Sequence, residues 1–230
     1  MSQDSPISRR GLLGAGVGAA AGLIAQRLGA VPSPDPSCGQ PTAAQTAGPY
    51  YPTREGLEED PDLTRVKGRP GRAEGEVIHV GGQVLDESCR PIAGALVEIW
   101  QANTWGRYDH EGDAGNPRPL DPNFQSWAEM LTDAEGRFRF KTIKPGAYPA
   151  DDSGWVRPPH IHFRISRRGY HELVTQMYFA GEELNGPDRI LRALAPEDQR
   201  RVTVAFEPAP AELEPGTRVG RFDITLRSAG

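Results

Sequence analysis

The sequence predicts an all-β domain, a β-sandwich of about eight strands with a loop-borne site and an N-terminal arm. Three observations point there. Gly and Pro are plentiful, 27 and 22 of 230 residues, which favours short elements joined by turns over long helices. From Glu76 onward, short runs rich in β-branched and aromatic residues recur, each bounded by turn residues. Hydrophobic residues make up 37% and charged residues 25%, the balance of a folded globular chain rather than a disordered one.

The elements follow in order. Residues 1–35 read as a twin-arginine-type export signal and linker. Ser8-Arg9-Arg10-Gly11-Leu12-Leu13 opens a weakly apolar, Gly/Ala-rich run from Gly11 to Ala25, too short and glycine-rich for a membrane span. This reading implies an export translocase as partner and a periplasmic or extracellular protein. A retained, membrane-anchored N-terminus and a disordered tail that happens to carry two arginines are the alternatives. Residues 36–75 form a polar, Pro/Gly-rich arm with one helical turn near Leu57. Residues 76–230 form the sandwich. Val77–Val80 and Gly82–Asp86 read as strand material ending in a turn at Asp86-Glu87-Ser88. Ala95–Trp100 is the next strand. Thr132-Asp133-Ala134-Glu135-Gly136 is a hairpin turn into Arg137–Phe140, whose alternation buries Phe138 and Phe140. His160–Ser166, Glu172–Phe179, Arg201–Phe206 and Arg221–Leu226 complete the strands. Gly186–Leu194 reads as a short helix and Ala195–Gln199 as a turn.

Charge and cysteine content bound the function. The net charge is −5, without a basic block along the mature chain, which argues against nucleic-acid binding. An oxidising compartment would permit a disulfide between Cys38 and Cys89, and two free thiols fit the sequence equally well. Neither cysteine has metal-site spacing.

The chemistry lies in four residues. In Arg157-Pro158-Pro159-His160-Ile161-His162-Phe163 a strand would turn both imidazoles to one face, about 7 Å apart at Cα. Two neutral imidazoles can converge on one metal. Tyr108, in Gly106-Arg107-Tyr108-Asp109-His110, and Tyr148, in Lys144-Pro145-Gly146-Ala147-Tyr148-Pro149, fall in loops. Either could be an ordinary packed tyrosine. As phenolates they would be hard anionic donors, suited to Fe(III) rather than Zn(II) or Cu(I).

Six motifs in order resemble the intradiol ring-cleavage dioxygenases, closest to their protocatechuate 3,4-dioxygenase branch. They are Gln45–Tyr51, Gly94–Asn103, Pro119–Phe124, Thr142–Gly146, Arg157–Phe163 and Thr175–Phe179. The resemblance implies a catalytic, iron-binding type of chain with non-haem Fe(III) held by Tyr108, Tyr148, His160 and His162. It implies a catecholic substrate and O2, opening of the ring between its two hydroxyls, and a muconate-type diacid product. Tyr108 matches the ligand displaced by substrate and so doubles as a base. Arg157 matches a residue that stabilises charge building on the ring, and Gln176 a residue beside substrate and Arg157. Tyr50 and Tyr51 fall where the family's arm covers the pocket, as substrate contacts. Trp105 and His110 flank Tyr108 as weaker candidates, while His79 and His171 read as structural. A homo-oligomer would suffice, because this chain carries the whole ligand set. One departure stands out: the branch often places Trp directly after its Tyr-Pro, and here Ala150-Asp151-Asp152 follows. A non-catalytic β-sandwich binding module is the competing class. A zinc hydrolase is a second, lacking any H-E-x-x-H motif.

Overall fold

Strand β1, Val77–Asp86, organises the first of two five-stranded sheets in the computed structural model, which describes residues 39–53 and 60–230. The described residues lie within a contact unit spanning Pro34–Gly230. The further strands are β2 (Leu96–Trp100), β3 (Trp127–Leu131), β4 (Arg137–Ile143), β5 (Tyr148–Pro149), β6 (Val156–Arg157), β7 (His160–Ser166) and β8 (Leu173–Phe179). The helices α1 (Arg189–Arg192) and α2 (Pro196–Arg201) follow, then β9 (Thr203–Val204), β10 (Phe206–Pro208), β11 (Arg218–Arg221) and β12 (Ile224–Leu226). Sheet one runs β10-β11-β1-β12, with β4 also paired to β1. Sheet two runs β3-β2-β7-β8-β9, and β5-β6 is a separate two-stranded ribbon.

The core forms where the sheets face each other. Phe163 of β7 meets Phe138 and Phe140 of β4, at ring-centroid distances of 6.1 and 5.9 Å, and Phe222 at 5.0 Å. Ile161, Phe163 and Ile165 are wholly buried in this layer. The arm touches both sheets: Thr42 exchanges bonds with Thr225 of β12 in sheet one, and the Gln45 backbone amide donates to the Val174 carbonyl of β8 in sheet two at 2.8 Å.

The sandwich and its principal strands match the sequence expectation, with local corrections. Val77–Val80 and Gly82–Asp86 form one continuous strand. Twelve strand segments form among the described residues rather than about eight, because pieces of two or three residues carry too little alternation to be read. Tyr148 opens the ribbon strand β5 instead of sitting in a loop. The expected turn Ala195–Gln199 begins the helix α2, with Pro196 in its first turn and Glu197 and Asp198 near its positive end. Arg201 belongs to that helix, so the following strand starts at Thr203. Arg221–Leu226 is broken at Phe222-Asp223, where Asp223 accepts from the Gln83 amide at 2.9 Å. Cys89 is disulfide-bonded. The export segment, Cys38 and the turn near Leu57 lie outside the described residues. No helix among the described residues is long and apolar enough to cross a membrane.

β1 changes partner at its middle. Ile78–Gly81 pair in parallel with β11, and Val84–Asp86 with β12. Gly82 stands at the changeover, where a Cβ would fall 1.8 Å from the Phe222 carbonyl oxygen. Backbone cannot yield as a side-chain tip can. Gly82→Ala should therefore cost about 1–3 kcal/mol, read as a lower urea midpoint. An unchanged midpoint would show that this close approach does not constrain the fold.

Candidate active site

The site is built on the face of sheet two that turns away from the core. Along β7, Ile161, Phe163 and Ile165 enter the core, so His160, His162 and Arg164 take the opposite face. Register supplies their neighbours: His162 lies between Trp100 on β2 and Gln176 on β8, and His160 lies opposite Tyr178. Both histidines are buried. The Trp100 ring stacks on His162 at 4.8 Å and 6°, which fixes the imidazole plane. The His160 Nδ1 lies 2.7 Å from the Pro158 carbonyl. A carbonyl can only accept, so Nδ1 carries the proton and Nε2 presents a lone pair.

The tyrosines close over that pair. His160 Nε2 and His162 Nε2 are 3.2 Å apart, and Tyr148 Oη is 3.5 Å from His160 Nε2. The Tyr108 ring stands edge-on to Tyr148 at 5.4 Å and tilted to His162 at 6.3 Å. Tyr108 Oη is buried without a hydrogen-bond partner among the described residues. The main chain of Tyr108 is pinned by Asp113, whose Oδ2 accepts its N–H at 2.8 Å. Tyr148 is placed by the ribbon, in which it pairs with Arg157.

Arg157 is 4% exposed and held from three sides. Nε donates to Asp188 Oδ2 at 2.8 Å, and Nη2 donates to Gln176 Oε1 at 2.6 Å and to Tyr178 Oη at 3.2 Å. Asp188 is fully buried, and its other oxygen caps α1 by accepting from Leu191 N at 2.7 Å. The arm covers this constellation. Gly48, with φ of +67°, brings its backbone against the His162 ring, and a Cβ there would meet that imidazole at 3.5 Å. Tyr50 stacks on Tyr108 at 4.5 Å. Tyr51 turns aside. Its hydroxyl donates to Glu98 at 2.6 Å and accepts from Arg164 at 3.0 Å, and its ring packs on Trp100. Of the two arm tyrosines, Tyr50 is the one that faces Tyr108 and Tyr148.

Burial dominates the electrostatics of the site. Burial pushes the Tyr108 phenol well up, with Tyr148 adding to it. Burial also raises Tyr148, partly offset by Arg157. Burial, reinforced by Arg157, drives His160 well below the usual imidazole range and His162 down to about 3. The Arg157 guanidinium is destabilised by burial, but Tyr148, Tyr178 and Asp188 outweigh this and hold it charged. Burial holds the two phenols and two imidazoles uncharged, His160 Nε2 lies 3.2 Å from His162 Nε2, and Tyr108 Oη is buried without a hydrogen-bond partner among the described residues. Two phenols that can ionise and two neutral imidazoles are donors suited to a small, hard cation, so the set fits Fe(III). No group of three or more His, Cys, Asp or Glu capable of holding a metal occurs among the described residues.

The structure thus brings together Tyr108, Tyr148, His160, His162, Arg157, Gln176 and Tyr50. His110 lies near, edge-on to Tyr50 at 5.8 Å, with Nδ1 accepting from Gly112 N. His79 lies outside the site, among Lys141, Glu214, Asp62 and Arg72. Sequence reasoning missed Asp188, Tyr178 and Trp100. Tyr178 was accessible to it, two residues from Gln176 on one strand face. Asp188 could be read as a helix cap, but not as the partner of an arginine 31 positions away.

Comparisons with known proteins agree on one chemistry. The sequence family described as Dioxygenase matches residues 46–228. The chain is 45% identical over 172 residues to the protocatechuate 3,4-dioxygenase beta chain of Burkholderia cepacia, covering 73% of this chain and 72% of that one. It is 30% identical over 207 residues to the hydroxyquinol 1,2-dioxygenase of Nocardioides simplex, covering 83% and 66%. Among solved structures, catechol 1,2-dioxygenase from Pseudomonas arvilla C-1 superposes with a TM-score of 0.63 at 30% identity, covering 82% of this chain and 63% of that one. The dioxygenase domain of a carbohydrate-binding fusion from Streptomyces sp. SirexAA-E gives 0.61 at 29%, covering 83% and 100%.

The depressed histidines carry a pH signature. As pH falls through the unfolded imidazole value near 6.5, the unfolded chain takes up protons that the folded chain refuses until about pH 3 for His162. Each ring should then subtract about 1.4 kcal/mol of stability per pH unit. Metal-free protein should lose stability between about pH 6 and pH 4 more steeply than a His160→Asn/His162→Asn double variant. Equal slopes in denaturant titrations would show that the rings are not held neutral.

Proposed function

This chain belongs to the intradiol ring-cleavage dioxygenase family, and we propose that it opens a protocatechuate-like catecholic ring between its two hydroxyl-bearing carbons, using one non-haem Fe(III). The observation that carries this reading is the convergence of Tyr108, Tyr148, His160 and His162 on one point beneath Arg157. When bound there, ferric iron would hold the catecholate and make its ring electron-rich enough to react with O2. The 45% identity to a protocatechuate 3,4-dioxygenase beta chain supports a ring of that kind. All the named residues come from one chain, so the reading needs no second kind of subunit.

The protein's own groups have separable tasks. A catechol must lose its hydroxyl protons on binding, and a phenolate oxygen is a suitable acceptor. Packing favours Tyr148 over Tyr108 as the phenol that leaves its place and takes a proton on Oη. Tyr108 is clamped under Tyr50 and by Asp113, whereas Tyr148 stands on a two-residue ribbon followed by the exposed stretch Pro149–Gly154. Tyr148 thereby takes the role that the family resemblance gives Tyr108. Arg157 presents a fixed, desolvated cation to negative charge developing on the ring, and Asp188 and Gln176 keep it in place. Trp100, Tyr50 and the arm exclude water. At the position after Tyr148-Pro149 stands the small, exposed Ala150. Trp155, against Arg157 at 5.6 Å, is the nearest indole on that loop.

Export completes the proposal. The arginine pair and the apolar run after it support translocation of an already folded, metal-loaded protein, to the periplasm or beyond. Replacing Arg9 and Arg10 together by Lys should retain the protein in the cytoplasm, read by fractionation. Unchanged recovery outside the cytoplasm would defeat this.

Product chemistry tests the reaction. With catechol, protocatechuate and hydroxyquinol assayed by O2 uptake, the product should be a diacid; a yellow semialdehyde would overturn intradiol cleavage. Arg157→Leu should lower kcat by about 100-fold or more with a smaller change in KM. Unchanged kcat would remove Arg157 from the mechanism while leaving the regiochemistry intact.

A further inference from the structure

We infer that the N-terminal arm completes the active site: Gln45 is a positioning residue that acts through Tyr178 to set the hydrogen bond between Gln176 and Arg157. The inference rests on the role of Arg157 proposed above and adds the arm to it.

The argument is a count of donors and acceptors. The Tyr178 hydroxyl is wholly buried, with three groups in range: Gln45 Oε1 at 2.9 Å, Gln176 Oε1 at 3.1 Å and Arg157 Nη2 at 3.2 Å. A phenol has one proton to give and lone pairs to accept with. Arg157 can only donate, so the Nη2 contact takes a Tyr178 lone pair. The single Tyr178 proton then has two competing acceptors. Gln176 Oε1 already receives Arg157 Nη2 at 2.6 Å. Gln45 offers the alternative acceptor, the closer of the two; drawing the Tyr178 proton there turns a Tyr178 lone pair toward Arg157 and spares Gln176 Oε1 from sharing its lone pairs with a second donor.

Gln45 is itself locked in the orientation this requires. Its Nε2 lies within donating range of the Thr175 hydroxyl at 3.3 Å and the Gln176 carbonyl at 3.2 Å, which turns Oε1 toward Tyr178. Its backbone N–H is bound to Val174 O at 2.8 Å. The next arm residue holds the other end of the same amide: Gln176 Nε2 donates to Thr46 O at 2.9 Å. Both ends of the Gln176 side-chain amide are thus oriented by the arm, Nε2 directly and Oε1 through Tyr178. Arg157 reads out the result.

Gln45→Met keeps the side-chain volume and loses the amide, while Tyr178→Phe keeps the ring and loses only the hydroxyl. Each is made in the full chain, alone and combined with Arg157→Leu. Each is assayed with whichever of catechol, protocatechuate and hydroxyquinol the wild-type protein turns over. Each single variant should lower kcat about tenfold, the scale of one hydrogen bond to a charged group, with little change in KM, bound metal or visible absorption. In the Arg157→Leu background neither should lower kcat further. Wild-type kcat in Gln45→Met, or an equal loss in both backgrounds, would overturn the inference, the second by showing that the arm acts through packing alone. Wild-type kcat in Arg157→Leu itself would instead overturn the role of Arg157, and this inference with it. That result is distinct from failure of the Gln45 variant alone.

Discussion

The register of β7 is the constraint on which the site depends. Its side chains alternate between two cores, with Ile161, Phe163 and Ile165 in the sandwich and His160, His162 and Arg164 on the outer face. A slip of one residue would bury the imidazoles among Phe138, Phe140 and Phe222 and turn the apolar set outward. Deep apolar packing on one face thus fixes the placement of the histidines on the other. The same register brings Trp100, Gln176 and Tyr178 beside them, so the supporting side chains come with the imidazoles. Loops and the ribbon then need only deliver two phenols and one guanidinium.

Burial of Arg157 with Asp188 is the second structural commitment. Two charges removed from water gain little net stability by pairing, but breaking such a pair leaves a bare buried charge and costs about 3–5 kcal/mol. The arrangement is better understood as fixing position. Asp188 anchors Arg157 with one oxygen and the start of α1 with the other, while Gln176, Tyr178 and the arm complete its cage. The phenols and imidazoles, neutral without a cation, would exchange two phenolic protons for bound metal. Uptake of the ion and assembly of the reactive charge distribution are then one event.

Much of this was legible in the sequence because it repeats locally. The alternation in Arg137–Phe140 and the His-x-His spacing in His160–His162 both encode a strand face, and both faces are as read. Tyr108 and Tyr148 stood out only through their motif context, since nothing about either alone distinguishes a candidate ligand from a packed ring. What stayed hidden was long-range or too short to have a period. The ribbon β5–β6 has two residues per strand, too few for alternation to show, yet it places Tyr148 opposite Arg157. The contact of Tyr51 with Glu98 joins residues 47 positions apart, and the bond from Tyr178 to Gln45 spans 133. α2, six residues long with Pro196 in its first turn, is too short for helical periodicity to show, and Pro there leaves no bond unmade.

Titration of metal-free protein with Fe(III), followed by visible absorption, tests the central claim most directly. The account predicts saturation at about one equivalent, a broad tyrosinate-to-iron band, and release of about two protons per ion bound. It also predicts that the band weakens in Tyr108→Phe and Tyr148→Phe alike, and is lost with His160→Ala. Saturation without a visible band, or a band that neither tyrosine substitution alters, would contradict it.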